Sequence, residues 1–232
     1  ISLCDWSSDV CSSDLGVLHL FPTKDDVTDF SKSKYAKLID QNPEAIAAFL
    51  KNTDQSNIKQ IGEAFLYLRG SRSRTQLKSI SVDKIIFDEY DEMRVGAATA
   101  SSGHIIQFDP IALARERYSH SQYKHEDILS TPTLPDYGIE AEFAKTDQKH
   151  WYIQCDHCRK YTCLELTFPE CLIPQRDGRV IRACKHCRRE INPSNGIWDA
   201  HYPNITDRSG YYVSQLCSKV IKPETIYEQY TN

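Results

Sequence analysis

The sequence lacks any apolar run that approaches the ~18 residues needed to cross a membrane. Its first residues also lack the basic start and small-residue cleavage site of a signal peptide. It has no excess of positive charge, since its 232 residues carry a formal net charge of −4. This balance excludes a surface that binds a polyanion over its whole extent. We therefore expect an intracellular protein that contacts nucleic acid, if at all, through local basic patches.

Cysteine is too scarce for a disulfide scaffold, and four of the nine cysteines fall in C-x-x-C pairs. Four thiolates on two short turns suit tetrahedral Zn²⁺, and a closed shell of four leaves no position for a substrate. We predict a structural zinc site, with disulfides or redox thiols as the alternative. The predicted zinc ligands are Cys155, Cys158, Cys184 and Cys187. The cysteines predicted to be buried small hydrophobes are Cys163, Cys171 and Cys217.

The segment from Cys4 to Leu15 is rich in serine and aspartate and has neither a helical nor a strand period. It contains a near-repeat, "SSDVC" then "SSDL", and resembles the translation of a sequencing adapter joined to a broken gene end. We predict that residues 1–15 are a non-native or disordered tail. A genuine polar tail is the alternative. The informative chain begins near Gly16.

The following segment alternates strand and helix patterns. Thr23 and Asp26 predict a capping box that begins a helix ending near Asp40, and Asn42 with Pro43 predicts a second helix through Leu50. Strands are predicted at 16–23 ("GVLHLFPT"), 63–70 ("EAFLYLRG") and 81–89 ("SVDKIIFDE"). This order predicts an α/β fold with a mainly parallel sheet.

Beyond the third strand the small-residue run Val95–Gly103 predicts a mobile loop, followed by a helix over Asp109–Ser119. A short strand at 126–133 and a helix at Ile139–Lys145 complete the pattern. Short aromatic and β-branched runs then alternate with the cysteine pairs, so we place a boundary near residue 148. The predicted domains are an ATPase-like core at 16–148, a zinc-ribbon-like module at 149–200 and a return to the core at 201–232.

Two carboxylates end the third predicted strand, in the order Asp88 and Glu89. In P-loop ATPases an apolar strand delivers one acid to Mg²⁺ and often a second acid that polarises the attacking water. Asp88 is therefore the candidate metal-side acid and Glu89 the candidate base. A solvated acidic turn after a buried strand is the alternative.

Hydroxyl side chains follow the next strand at Ser130, Thr131 and Thr133. They are candidates to sense the γ-phosphate and to pass on its loss, with Pro132 stiffening the exit from the strand. A plain turn is the alternative. Two polar strand ends in this order favour a ligand site, because ligands of open α/β sheets gather at the carboxyl ends of strands. Arg117 is a candidate to reach phosphate, with pairing to a neighbouring carboxylate as the alternative.

Basic and aromatic residues surround the cysteine pairs. They predict a surface that contacts DNA or a partner protein, with a solvated charged face as the alternative. These residues are Arg159, Lys160, Arg182, Lys185, Arg188, Arg189, Trp151, Tyr152 and Trp198.

Taken in order, these motifs resemble the large subunit of the lambda-type phage terminases, over about Val17–Ser218. The resemblance rests on "VLHLFPT", "VDKIIFDEYDE", "DPIALARER", "STPT", "TDQKHWYIQCDHC", the second C-x-x-C and "GIWDA". It implies a partial RecA-like (ASCE) P-loop NTPase core with a small zinc-ribbon-like β insertion. Asp88 then matches the Walker B acid that holds Mg²⁺ with ATP, Glu89 the catalytic glutamate and Ser130–Thr133 the coupling motif. Arg117 falls on an arginine typical of the family.

The same resemblance implies an ATP-driven motor that packages viral double-stranded DNA into procapsids. Its implied partners are DNA, a small terminase subunit and a portal protein, in an oligomer without membrane contact. Its implied location is the cytoplasm of an infected bacterium. Two other functions stay open: a helicase-like or restriction-type DNA-dependent ATPase, and a non-enzymatic zinc-ribbon module that binds DNA or protein.

The sequence departs from the family pattern in three ways. No G-x-x-x-x-G-K-[ST] phosphate loop, or Walker A motif, occurs in it. It ends at Asn232, before a nuclease domain, and its knuckles read C-D-H-C-R and C-K-H-C-R without the usual proline or glycine. We therefore expect an internal fragment that by itself neither binds ATP tightly nor hydrolyses it.

Overall fold

A computed structural model describes most of the chain, and its residues divide into two compact units between Glu140 and Ala141. Helix α5 (Gly138–Phe143) spans the division. The predicted tail lies outside the described residues except for Leu15. The described ranges are 15–46, 49–78, 80–93, 96–99 and 105–232.

The first unit contains a six-stranded sheet with helices in its connections. Its strands are β1 (Gly16–Phe21), β2 (Leu50–Gln55), β3 (Ile58–Ile61), β4 (Ala64–Gly70), β5 (Lys84–Asp88), β6 (Gly96–Thr99), β7 (Ile105–Phe108) and β8 (His125–Leu129), of which β6 and β7 form a separate hairpin. Its helices are α1 (Lys24–Asp29), α2 (Ala36–Gln41), α3 (Arg74–Lys78) and α4 (Pro110–Arg115), with a π-helical turn at Phe30–Tyr35 between α1 and α2.

The strand order is β2-β3-β4-β1-β5-β8, and β4, β1, β5 and β8 run parallel. The predicted α/β fold with a mainly parallel sheet is confirmed. The antiparallel pairs β2–β3 and β3–β4 occupy one edge. Because β4 and β5 flank β1 on opposite sides, the chain changes its direction of travel across the sheet at β1. In open α/β sheets ligands bind at the carboxyl ends of the strands beside such a reversal.

The core of this unit lies on the central strands. Leu18 and Leu20 of β1 and Ile85 and Phe87 of β5 are fully buried. Leu77 of α3 is buried against them. Such apolar central strands are expected where helices cover a parallel sheet, and this packing fixes the register that carries Asp88 to the end of β5.

Thr23 and Asp26 form the predicted capping box, in which the Thr23 hydroxyl accepts from the Asp26 amide and the Asp26 carboxylate accepts from the Thr23 amide. The helical segment then runs through α2 to Gln41, close to the predicted end. The second predicted helix is wrong. Residues 43–46 form a turn, 47–48 lie outside the described residues, and Leu50 begins a strand whose pairing with β3 overrides the local helix signal.

The predicted loop at Val95–Gly103 also differs in the structure. Residues 96–99 form β6, which pairs antiparallel with β7, and residues 95 and 100–103 lie outside the described residues. Small residues are compatible with a hairpin strand when the partner β7 supplies the hydrogen bonds.

The second unit is built from short strands, as predicted around the cysteine pairs. A three-stranded antiparallel sheet has the order β10-β9-β13, and β11 and β12 form a hairpin. The bounds are β9 (Lys149–Gln154), β10 (Tyr161–Cys163), β11 (Leu172–Pro174), β12 (Val180–Arg182), β13 (Gly196–Ala200) and α6 (Pro223–Thr231).

Residues 201–232 belong to this second unit, whereas we predicted their return to the ATPase core. The Glu224 carboxylate at the start of α6 accepts a 3.0 Å hydrogen bond from the Val180 amide of β12, and Leu216 and Ile226 join the unit's buried cluster. These contacts are long-range, so no local pattern indicates them. Among the described residues no helix has the length and apolar character required to cross a membrane.

Candidate functional site

The predicted acid pair lies at the carboxyl edge of the parallel sheet. Asp88 is the last residue of β5, in register with Leu129, the last residue of β8. The acid pair and the hydroxyl motif that begins at Ser130 therefore leave neighbouring strands at the same edge. This is the juxtaposition that the sequence predicts.

His19 of β1 reaches the Asp88 carboxylate, with Nε2 lying 3.3 Å from Oδ2. The separation suits an ion pair, although the angle is poor for a hydrogen bond. The ring is buried and stacks on Phe21 at a centroid distance of 4.2 Å. Contact with His19 is the main cause that lowers the pKa of Asp88, while partial burial acts in the opposite direction. A carboxylate held ionised in this way suits a metal-side acid.

Glu89 has a left-handed backbone, with φ 56° and ψ 54°. For a residue with a side chain this conformation costs roughly 1–2 kcal/mol. It ends β5 abruptly and begins the 3₁₀ turn Tyr90–Glu92. Strained residues concentrate at functional sites, and the strain at Glu89 agrees with its predicted role.

Asp91, which sequence analysis overlooked, joins the acid loop to the hydroxyl motif. Its buried carboxylate accepts hydrogen bonds from the amide and hydroxyl of Thr133, at 3.0 and 2.9 Å, and from the Ile139 amide at 2.7 Å. Its amide donates to the Ser130 hydroxyl at 3.1 Å. Thr131 is exposed. Two of the three predicted hydroxyl residues therefore contact one aspartate.

Gly138 permits this arrangement. It has φ +56°, and an added Cβ would collide with the Asp91 carboxylate. Glycine supplies both the left-handed turn and the room for Asp91 to reach the amide of Ile139.

Arg117 occupies another part of the sheet. Its guanidinium donates to the Lys78 carbonyl and the Glu116 carboxylate, both at 2.9 Å. Its carbonyl accepts from Val82, six residues before Asp88 and therefore about 20 Å away along an extended strand. The phosphate role of Arg117 stays a prediction, and these contacts favour the alternative, pairing with a neighbouring carboxylate.

The four predicted zinc ligands converge in the second unit, with their sulfur atoms all within 4.8 Å of one another. The Cys155–Cys187 and Cys158–Cys184 sulfur pairs are each 3.6 Å apart. A tetrahedral site with Zn–S bonds of about 2.3 Å places its sulfurs roughly 3.8 Å apart. The geometry and the donor set both fit Zn²⁺.

The two knuckles have matching backbone geometry. The amides of Arg159 and Arg188 donate to the carbonyls of Cys155 and Cys184, at 2.8 and 2.9 Å. Both arginines are left-handed, with φ 62° and 63°. They occupy the position where such turns usually carry glycine, and a hydrogen bond in each turn holds them there. The departure from the family's usual glycine therefore leaves the knuckle geometry intact.

A family model described as phage terminase large subunit gpA, ATPase domain, matches residues 3–202. The chain belongs to this family. The matched range includes part of the predicted adapter-derived tail, whose origin stays a prediction.

Among solved structures, the terminase family is represented by the large terminase of a thermophilic bacteriophage. It is 15% identical to this chain with a TM-score of 0.41, and the match covers 60% of this chain and 31% of that structure. The chain thus spans under a third of that terminase. The curated proteins include no match.

Within this terminase-family chain, one of the predicted surface arginines is structural. Arg182 is buried, and its Nη2 donates to the carbonyls of Ser218 and Ile221 at 3.0 and 2.6 Å. Burial lowers its pKa. Arg182 is therefore removed from the predicted basic surface.

Asp147 provides a pH-dependent contact in the second unit. Burial raises its pKa, but hydrogen bonds from the Gly210 amide, the Ser209 hydroxyl and Lys149 outweigh burial, and the net pKa is lowered. A lowered folded pKa stabilises the protein above the unfolded value of about 3.9, and this contribution is lost as the pH falls through the folded pKa.

We expect Asp147→Asn to destabilise the second unit at pH 7 and to have less effect as the pH falls below about 4. Urea unfolding of both proteins across this range measures the difference. Asp177→Asn, at an exposed ion pair with Arg179, is the control and should change little. A destabilisation by Asp147→Asn that stayed constant from pH 7 to pH 3 would contradict the assignment.

Proposed function

We propose that the first unit supplies the catalytic acids and the coupling motif of an ATP-driven motor that packages double-stranded viral DNA. The observation that carries the proposal is the meeting of Asp88, Glu89 and the hydroxyl motif at one edge of a parallel sheet, joined through Asp91. Membership of the terminase ATPase family supports the reaction class.

In this proposal Asp88 holds the Mg²⁺ that accompanies ATP. Its side chain is 27% exposed at the strand end, so a carboxylate oxygen is accessible to a hard cation that prefers oxygen ligands. Mg²⁺ supplies charge neutralisation at the transferred phosphate. His19 orients the carboxylate from the buried side. Glu89, on its strained turn, positions and deprotonates the attacking water.

Ser130, Thr131 and Thr133 report the state of the γ-phosphate to the rest of the unit. A shift of Ser130 or Thr133 must be transmitted to Asp91, because both contact it. Asp91 in turn holds the amide of Ile139 at the start of α5. This gives the coupling motif a direct route to the next helix.

The four cysteines of the second unit hold a structural Zn²⁺ in this proposal. Cys155 and Cys184 are fully buried, and a closed set of four thiolates gives the metal no position for a substrate. The zinc fixes the two knuckles and the short strands between them.

The remaining assignments rest on family membership. The partners are double-stranded DNA, a small terminase subunit and a portal protein, assembled as an oligomer in the cytoplasm of an infected bacterium. Because no phosphate loop occurs in this sequence, we propose that the chain acts as an internal part of a longer protein that supplies one.

The test is Glu89→Gln in a terminase that carries this chain together with a phosphate loop. We expect ATP turnover to fall by roughly 10²–10⁴-fold, the usual contribution of a general base, with little change in ATP affinity. Glu92→Gln, an exposed residue of the same 3₁₀ turn, is the matched control.

The 232-residue chain alone should show no Glu89-dependent turnover, because carboxylates repel a triphosphate without the loop's amides and lysine. Wild-type turnover by the long Glu89→Gln protein, or Glu89-dependent turnover by the short chain, would overturn these roles.

A further inference from the structure

A second group of possible metal ligands lies in the second unit, apart from the four cysteines. It consists of His150 in β9, Cys163 at the end of β10 and Glu165 in the 3₁₀ turn Glu165–Thr167. Their ligand atoms all lie within 4.8 Å of one another. Nδ1 of His150 is 2.6 Å from Oε1 of Glu165.

These groups are largely removed from solvent. Cys163 is 4% exposed, and the side chains of His150 and Glu165 are 12% and 9% exposed. Oε2 of Glu165 is buried and has no hydrogen-bond partner among the described residues. A buried carboxylate oxygen without a partner costs roughly 1–3 kcal/mol or more. The cluster therefore contains an acceptor for a positive charge that the protein itself does not supply.

We propose that His150, Cys163 and Glu165 bind a second divalent metal ion of the zinc class. Imidazole nitrogen, thiolate sulfur and carboxylate oxygen are the three donor types that Zn²⁺ takes in proteins. Three protein ligands leave a fourth position for water or an external ligand, unlike the closed site of four cysteines.

Binding exchanges protons for the metal. The ion replaces the proton between His150 and Glu165, and the Cys163 thiol releases its proton to solvent. Zn–N and Zn–O bonds of about 2.1 Å in a tetrahedral site place nitrogen and oxygen roughly 3.4 Å apart, so the present 2.6 Å contact must open by under about 1 Å. A rotation of the Glu165 side chain achieves this and can bring Oε2 to the metal.

The alternative is a buried histidine–carboxylate pair with Cys163 as a packed thiol. The two arrangements predict different metal contents, independently of the proposed ATPase function. The second site predicts two metal ions per chain and the histidine–carboxylate pair predicts one, both including the ion at the four cysteines.

The experiment measures metal content by mass spectrometry and thiolate-to-metal absorption during titration of the full chain with CoCl₂. We expect two equivalents for the wild type and one for Glu165→Gln, with the tetrathiolate spectrum retained. Glu170→Gln, an exposed residue just beyond the 3₁₀ turn, is the matched control and should keep two.

Cys163→Ala and Cys171→Ala form a second matched pair, since both remove a buried thiol and only the first removes a proposed ligand. We expect Cys163→Ala to lose one equivalent and Cys171→Ala to keep both. This pair decides the question if Glu165→Gln fails to fold. One equivalent in the folded wild type, or two in folded Glu165→Gln or Cys163→Ala, would overturn the proposal.

Discussion

Replacing Cys184 with serine should unfold the second unit while the first unit stays folded. Structural zinc contributes about 10–16 kcal/mol to small metal-dependent folds, and whole domains are stable by only about 5–15 kcal/mol. Cys155 and Cys184 lie within the buried cluster of the second unit, so loss of the metal also disrupts its packing. The two units should then unfold in separate transitions.

Circular dichroism during heating, together with metal analysis, measures this effect. Cys184→Ser should lose the tetrathiolate spectrum with cobalt and the transition of the second unit. Cys217→Ser is the control, because Cys217 lies outside the four-cysteine group. Retention of both the spectrum and the transition in Cys184→Ser would refute a structural role for the metal.

Replacing Asp91 with asparagine should be the most damaging single change in the first unit that leaves the acids and hydroxyls in place. The carboxylate accepts three hydrogen bonds, and bonds to a charged group contribute about 1.5–3 kcal/mol each. An asparagine side chain offers one acceptor oxygen and turns a donor toward one group of donors. We expect a loss of about 3–5 kcal/mol in the free energy of unfolding.

Urea unfolding of the chain measures the stability change, and Glu92→Gln again serves as the neighbouring control. In a terminase that contains this chain, Asp91→Asn should reduce DNA packaging more than ATP turnover, since it breaks the link between Ser130–Thr133 and Ile139. Equal losses in packaging and turnover, with full stability, would contradict the coupling role.

Sequence reasoning located the strand ends because their signal is local. A buried apolar strand that ends in acids, and another that ends in hydroxyls, must meet at one edge when both strands are parallel neighbours. The same holds for the cysteine pairs, whose spacing alone indicates two knuckles. The sheet direction, Asp88, Glu89, Ser130 and Thr133 were all accessible in this way.

The contacts that organise these residues were not accessible, because they depend on positions far apart in the chain. Asp91 binds Thr133 and Ile139, and its only local sign is a third acid in "DEYDE". His19 gives a weak sign as the one polar residue inside "GVLHLF". The strand at Leu50 and the packing of residues 201–232 against β12 depend on tertiary pairing that outweighs local propensity.

The left-handed backbone at Glu89 sets thermostability against turnover. Glycine or asparagine would adopt the same conformation at a lower cost in folding free energy, whereas neither can serve as a base. Breeding this protein for heat resistance alone would thus tend to discard its glutamate. A lineage that keeps the residue does so under selection for the reaction.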